Sequence, residues 1–281
     1  MSAAPSTDVI EWELSVDELQ TLRSHLPGLV LPSFVPEGDG RDDLVAGLAS
    51  RGVLERSPAL DADSWAEDVD APFLLALALQ NTGSIVIQVT AWTPDATTAH
   101  STVIQASAAS HLTVHGDGSA RLRGTTLDQA WSTLADLVPS VVVGDPARGA
   151  VTVSTVASQA LVDAIGQRDP RLLDAVVREL HVPAEAVDLF RGLADPVHSG
   201  FRVKAFTLDH GPVFAGNWFG TTRGWLRMGV GLESEARGTE VTPELITDAG
   251  TVTVTAQTDE DIRTELLSLV AGLIRDRDRD V

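Results

Sequence analysis

The side chains suited to chemistry are few and poorly grouped. His111 and His115, in "HLTVH", are the closest histidine pair. On a strand, residues four apart share a face but stand about 13 Å from each other at ~3.3 Å per residue, too far to share a metal ion. Surface or turn histidines are therefore expected. Asp195 and His198 flank Pro196 and could hydrogen-bond across a turn, yet no nucleophile stands with them. The acidic stretches "EGDGRDD", "ALDADSW" and "RDRDRDV" lack the spaced oxygen ligands closing on a glutamate that a calcium loop needs. They read as polar loops and, for 276–281, a frayed solvated tail.

The sequence contains no G-x-x-x-x-G-K-[ST], G-x-G-x-x-G between strand and helix, G-x-S-x-G or H-E-x-x-H. It has no cysteine and no tyrosine, which removes thiolate nucleophiles, Cys-based metal sites and disulfides, and thins the supply of acids and bases. No catalytic residue, cofactor or metal site is expected. What stands out is apolar: "PVFAGNWFGTTRGWLRMGVG", 212–231, gathers Phe214, Trp218, Phe219, Trp225 and Met228 around a turn. Strand alternation sends Phe214 and Trp218 to one face and Phe219 to the other. One face must enter a core, while the other is either covered by a helix or offered to a partner, since Trp, Met and Arg are enriched at interface centres. "GLESEARGTE" then reads as a mobile acidic loop.

The elements that must position these residues follow from periodicity. Val9 to Leu14 alternates as a strand, and Ser15 with Glu18 has the capping-box spacing ahead of the Leu19, Leu22, Leu26 helical face. Helices are expected over 42–52 and about 64–80, the run "APFLLALALQ" being ambiguous in period but read as helix. From Ile85 the texture becomes β, with "SIVIQVTAW", "STVIQAS", "HLTVHGDG" and "SARLR" forming a meander before a helix over 127–138. After a linker at 144–149 come a strand, helices near 156–165, 171–180 and 183–193, strands at 201–208, 213–219, 225–231 and 251–255, and a helix over 259–274.

The two halves repeat one another. Placing Gly118 on Gly250, a shift of 132, aligns Leu122 with Val254, Ala130 with Ile262, Leu134 with Leu266 and Val138 with Val270, all at core spacing. Thr126 with Gln129 and Thr258 with Asp261 then supply matching caps. "VTAWTPD" falls on "VKAFTLD" at a shift of 114, and "LVAGLASRGV" on "LDAVVRELHV" at 129. The growth in shift puts extra chain of the second half between Gly211 and Asp248. The expected fold is α+β: duplicated ββββα-type units, residues 1–143 and 150–275, merging about a quasi-two-fold into one central antiparallel sheet flanked by helical subdomains.

Forty acidic against 20 basic residues give a net charge of −20, which repels nucleic-acid phosphate and anionic lipid. Lys204 is the sole lysine, a bias that fits a GC-rich genome or a salt-loving host. The opening lacks the features of a signal peptide and no apolar run approaches the ~18 residues of a membrane span, so a cytoplasmic protein is expected.

With these segments in place the chain resembles the EspG family, chaperones that recognise substrates of type VII (ESX) secretion. The residues that carry the resemblance are "IEWELSVDELQTL", "VTAWTPD", "VTVSTVASQALVDAI", "HVPAEAVDLFRGLAD" with the aromatic strand pair, and "GTVTVTAQTDEDIRTELLSLVAGL". In one departure, Arg223-Gly224 stands where family members often carry Gly-Arg. The resemblance implies a non-enzymatic cytosolic chaperone, monomer or weak dimer, that binds the apolar helical tip of a PE/PPE-like heterodimer. Its contacts are expected on the second-half sheet and C-terminal helices, with Phe206, Phe214, Trp218, Arg223 and Trp225 among them. The rivals are a small-ligand or enzymatic domain on the same duplicated fold, with polar groups converging between the halves, and a self-associating structural protein.

Overall fold

Helix starts and turn residues cut the chain into the elements that periodicity calls for. The computed structural model describes residues 10–56, 58, 64–141, 146–194, 197–209, 211–232 and 249–277. Strand β1 (Ile10–Ser15) passes into α1 (Val16–His25) through the Ser15/Glu18 capping box, with the Glu18 amide donating to Ser15 Oγ and the Ser15 amide to the Glu18 carboxylate. A 3-10 turn (Asp42–Leu44) leads into α2 (Val45–Ser50). The ambiguous apolar run is α3 (Ala71–Thr82), opened by Asp70, which accepts from the Phe73 amide, and by a proline in its first turn. It begins later than periodicity suggests, because residues 65–69 close a turn on the Trp65 carbonyl and Val69 then bridges Leu54.

The meander β2 (Ile85–Trp92), β3 (Thr97–Gln105), β4 (Ala108–His115) and β5 (Ser119–Thr126) ends in α4 (Leu127–Ala135). The second half repeats this order: β6 (Ala150–Ser154), α5 (Thr155–Gln167), α6 (Pro170–Glu179) and α7 (Ala184–Ala194), then β7 (Ser199–Thr207), β8 (Gly211–Thr221), β9 (Gly224–Leu232), β10 (Gly250–Gln257) and α8 (Asp259–Arg277). Residues 116–118 join β4 to β5, whereas 233–249 join β9 to β10, so the extra chain of the second half enters there. Residues 233–240 of the acidic "GLESEARGTE" stretch, the Asp195–Pro196 turn, residues 144–145 of the linker and 278–281 of the tail lie outside the described residues.

The strands of the described residues all belong to one antiparallel sheet of ten, ordered β1-β5-β4-β3-β2-β7-β8-β9-β10-β6. Outward from the β2–β7 seam, both directions read the same course. At the seam Val89 pairs with Val203, and these are the two residues that the shift of 114 superposes. A pseudo-two-fold axis therefore passes between them, normal to the sheet.

One face of the sheet is covered at this axis by α4 and α8, and there Ile87, Val89, Val203, Leu134 and Leu266 form a continuous core. Trp131 Nε1 donates to the carbonyl oxygen of Arg263, 132 residues along, which ties the two helices together. On the opposite face the helices divide. Helices α1 to α3 enclose a core with β1, β4 and β5, and α5 to α7 enclose another with β6, β9 and β10.

The caps of the helix pair differ. Thr258 and Asp261 form the reciprocal box ahead of α8. Thr126 instead donates to Asp128 and makes no side-chain cap, leaving Gln129 Oε1 buried without a partner. A shorter acid at the second helical position outcompetes the expected glutamine.

Trp218 lies under the helix pair, fully buried, with its ring filling the space over Gly216. Its Nε1 donates to Gln257 Oε1 at 2.5 Å, and Gln257 in turn donates to Glu265 of α8, which also holds Arg227 at 2.7 Å. Trp218→Ala is expected to destabilise the protein by about 3–5 kcal/mol through the cavity it opens. Urea unfolding of the variant beside wild type measures this.

Candidate partner-binding surface

The inserted helices of each half follow β1 or β6, the two edge strands, and their cores include no residue of β2 or β7. Among the described residues the sheet is therefore left open around the axis on the face away from α4 and α8. Its floor reads across in rows: Trp92, Gly200 and Phe219; then Thr90, Arg202 and Asn217; then Gln88, Lys204 and Ala215; then Val86, Phe206 and Pro212. Thr90, Arg202, Lys204 and Ala215 are exposed, and Trp92, Phe206 and Phe219 are half-buried. The Trp92 ring lies flat over Gly200, where a Cβ would come within 1.7 Å of it, so the glycine allows the indole to pave the floor. On the first-half side the floor adjoins a cleft of about 400 Å³ lined by Val16, Phe34, Pro36, Ala99 and Val114 among others.

The five residues expected as contacts do not share one surface. Phe206 stands on the open floor. Arg223 sits in the β8–β9 turn, 3.9 Å from Asp188 of α7, at the edge of the second-half helices. Phe214 is half-buried on the opposite face, with the Arg227 guanidinium 5.9 Å from its ring centroid. Trp218 and Trp225 are corrected outright, being 0% and 1% exposed. Both indoles point beneath α8, Trp225 Nε1 donating 2.7 Å to Asp259, because alternation gives them the face that the terminal helix covers. Nothing local in the sequence marks the floor residues Trp92, Arg202 and Lys204 as contacts, and alternation, which sets Phe219 opposite Trp218, does not say which face stays open.

The residues flanking the axis on this floor are Gln88, Thr90, Arg202 and Lys204, without a carboxylate or an imidazole. Among the described residues no cluster of three or more metal-binding side chains occurs. The titrating groups with strongly shifted protonation lie on the other face. His111, expected at the surface, is 1% exposed, and its partner is His100 of the neighbouring strand, with ring centroids 5.7 Å apart. The rings bond only to hydroxyls: His100 to Thr113 and Thr102, His111 to Thr102 and Thr125. Burial, and secondarily His111, holds His100 well below the ordinary imidazole range, while burial and the Arg123 charge lower His111 to about 3. With no carboxylate to receive a proton, the pair serves the core.

No protein-family model matches the chain, and no curated protein matches it in sequence. In structure it is similar to the EspG5 chaperone of the Mycobacterium tuberculosis type VII secretion system, solved in complex with a PE25–PPE41 dimer. The TM-score is 0.58 over 92% of this chain and 94% of that one, at 13% sequence identity. The chain thus has the fold of that chaperone.

The buried histidines make stability depend on pH. Folded, they stay neutral to well below pH 6.5, while the unfolded chain protonates them near 6.5. Stability is therefore level above that value and falls as pH drops from about 6.5 towards 3, by about 1.4 kcal/mol per pH unit for each histidine. Urea titrations at falling pH are expected to give this slope, and a His100→Gln/His111→Gln variant to flatten it.

Proposed function

We propose that this chain is a type VII secretion chaperone. It takes the apolar helical tip of a PE/PPE-like heterodimer onto the open sheet face, keeps that client soluble in the cytosol and marks it for export. The observation that carries the reading is the sheet centre that no described helix covers, between two helical groups and paved by Trp92, Phe219 and Phe206. The neighbour in structure space was solved with such a dimer, and no helix among the described residues is long and apolar enough to cross a membrane.

The dimensions suit a pair of helices. From the Trp92–Phe219 row to the Phe206 row, six residues along β7, the floor spans about 20 Å. A helix laid along β7 over that length sets about 13 residues on the floor at ~1.5 Å each, with its packed partner alongside at ~8–10 Å. Aromatic residues at both limits give the apolar anchors that interface centres favour. Arg223, at the rim beside α7, supplies a further contact from the second-half helices. High net negative charge keeps the free chaperone and its complex from self-association.

Co-expression with a PE/PPE-type pair encoded in the same genome is expected to give a complex holding one copy of each chain on a sizing column, the free protein running as a monomer or weak dimer. Phe206→Ser and Phe219→Ser are each expected to weaken binding by about tenfold, ~1.4 kcal/mol, with little change in Tm. Recovery of the chaperone alone, whatever the pair offered, would remove the reading.

A further inference from the structure

We propose that Arg202 and Lys204 form a two-cation receptor, at the centre of the open floor, for a client helix carrying two carboxylates one turn apart. This rests on the docking reading above and adds the chemistry that selects and orients the client.

Carboxylates outnumber cations two to one in this chain, 40 to 20, and they engage Arg121 and Arg227 of the sheet and Arg223 of the β8–β9 turn, whereas Arg123 of β5 faces the buried His111 side with its Nε enclosed. Arg121 pairs with Glu11 and Glu13, Arg227 with Glu265, and Arg223 with Asp188. Among the described residues neither Arg202 nor Lys204 has a carboxylate at ion-pair distance, although both are exposed. Arg202 is held in place: its Nε donates 2.7 Å to Asn217 Oδ1, which leaves the terminal nitrogens to take a carboxylate in a fork. Lys204 is the sole lysine of the chain.

The spacing is that of a helix. Residues two apart on a strand share a face at about 6.6 Å, and residues four apart on a helix rise by about 6 Å. Two acids at i and i+4 therefore meet the two cations together. The shift of 114 makes the assignment directional, because it superposes Trp92 on Phe206, Thr90 on Lys204 and Gln88 on Arg202. The aromatic anchors are thus matched across the axis while the cations belong to one half alone. A floor of this kind grips both ends of a helical pair and admits the acidic helix on one side only. The −20 charge of the chain repels any anionic partner at long range, a client carboxylate included, so these two side chains act as a short-range local exception to it.

The test uses the full chain and the PE/PPE-type heterodimer of the preceding experiment, with affinity measured at low and high salt. Wild type is expected to bind more weakly as salt rises. Lys204→Gln and Arg202→Gln are each expected to lose about fivefold at low salt, and Lys204→Glu tenfold or more, with unchanged Tm and with losses that shrink at high salt. Arg121→Gln, on the other face, is expected to bind as wild type does. If wild type binds and the neutralised variants bind equally well, the receptor is overturned while the docking reading stands. If wild type binds no heterodimer at either salt, the docking reading falls, and the receptor with it.

Discussion

The antiparallel pairing of β2 with β7 is the join on which the rest of the molecule depends. Each half alone would end in an unpaired strand edge flanked by an apolar surface, which is an invitation to aggregate. Pairing the two edges satisfies both ladders at once and makes one ten-stranded sheet. It also creates a wide apolar strip across the seam, Ile87 and Val89 beside Val203 and Ala205, which neither half could cover with its own inserted helices. The helix that ends each half does so instead. Leu134 and Leu266, both fully buried, are worth roughly 1.5–3 kcal/mol each by transfer from water.

The same join explains why the other face stays open. The helices inserted in each half follow the edge strands, so they are tethered as far from the seam as the sheet allows, and they bury the outer strands first. The centre of the floor is left to side chains tolerant of water, with aromatic rings where the flanking rows begin. Two glycines set those rings: Gly216 receives the Trp218 indole on the covered face, and Gly200 receives Trp92 on the open one. One strand pairing and two absent side chains thus separate a core tryptophan from a surface tryptophan.

Much of this architecture is legible in residue order. The Ser15/Glu18 and Thr258/Asp261 boxes announce their helices, and the two shifts find equivalent strands although no equivalent residue lies near the other in sequence. The growth from 114 to 132 puts the extra chain between Gly211 and Asp248, an interval that holds β8, β9 and the long β9–β10 connection. What periodicity cannot carry is which face of a two-sided strand meets a helix, because Phe214, Trp218 and Phe219 are equally apolar. Trp218 and Trp225 were consequently expected at a partner surface. The His100–His111 pair is hidden for a related reason, since adjacency across a hairpin brings together histidines that spacing along one strand would not select. Arg202 and Lys204 gain meaning only once β2 and β7 are known to be neighbours at the axis.

A symmetric scaffold poses a problem for a chaperone of an unsymmetrical client, because a floor with two-fold symmetry would accept a helical pair in either of two orientations. The strand backbones and the aromatic anchors keep the symmetry, Trp92 answering Phe206, and this is what shape and packing require of a merged sheet. Discrimination therefore has to come from groups whose exchange leaves the fold untouched. Polar residues on the solvated side of a central strand meet that condition: replacing Gln88 by its counterpart Arg202, or Thr90 by Lys204, alters no core contact. Charge on one half is the least costly way to break the degeneracy. It acts through a difference in affinity between the two poses, and like-charge or unpaired-charge contacts in the wrong pose contribute as much as the favourable ones in the right pose.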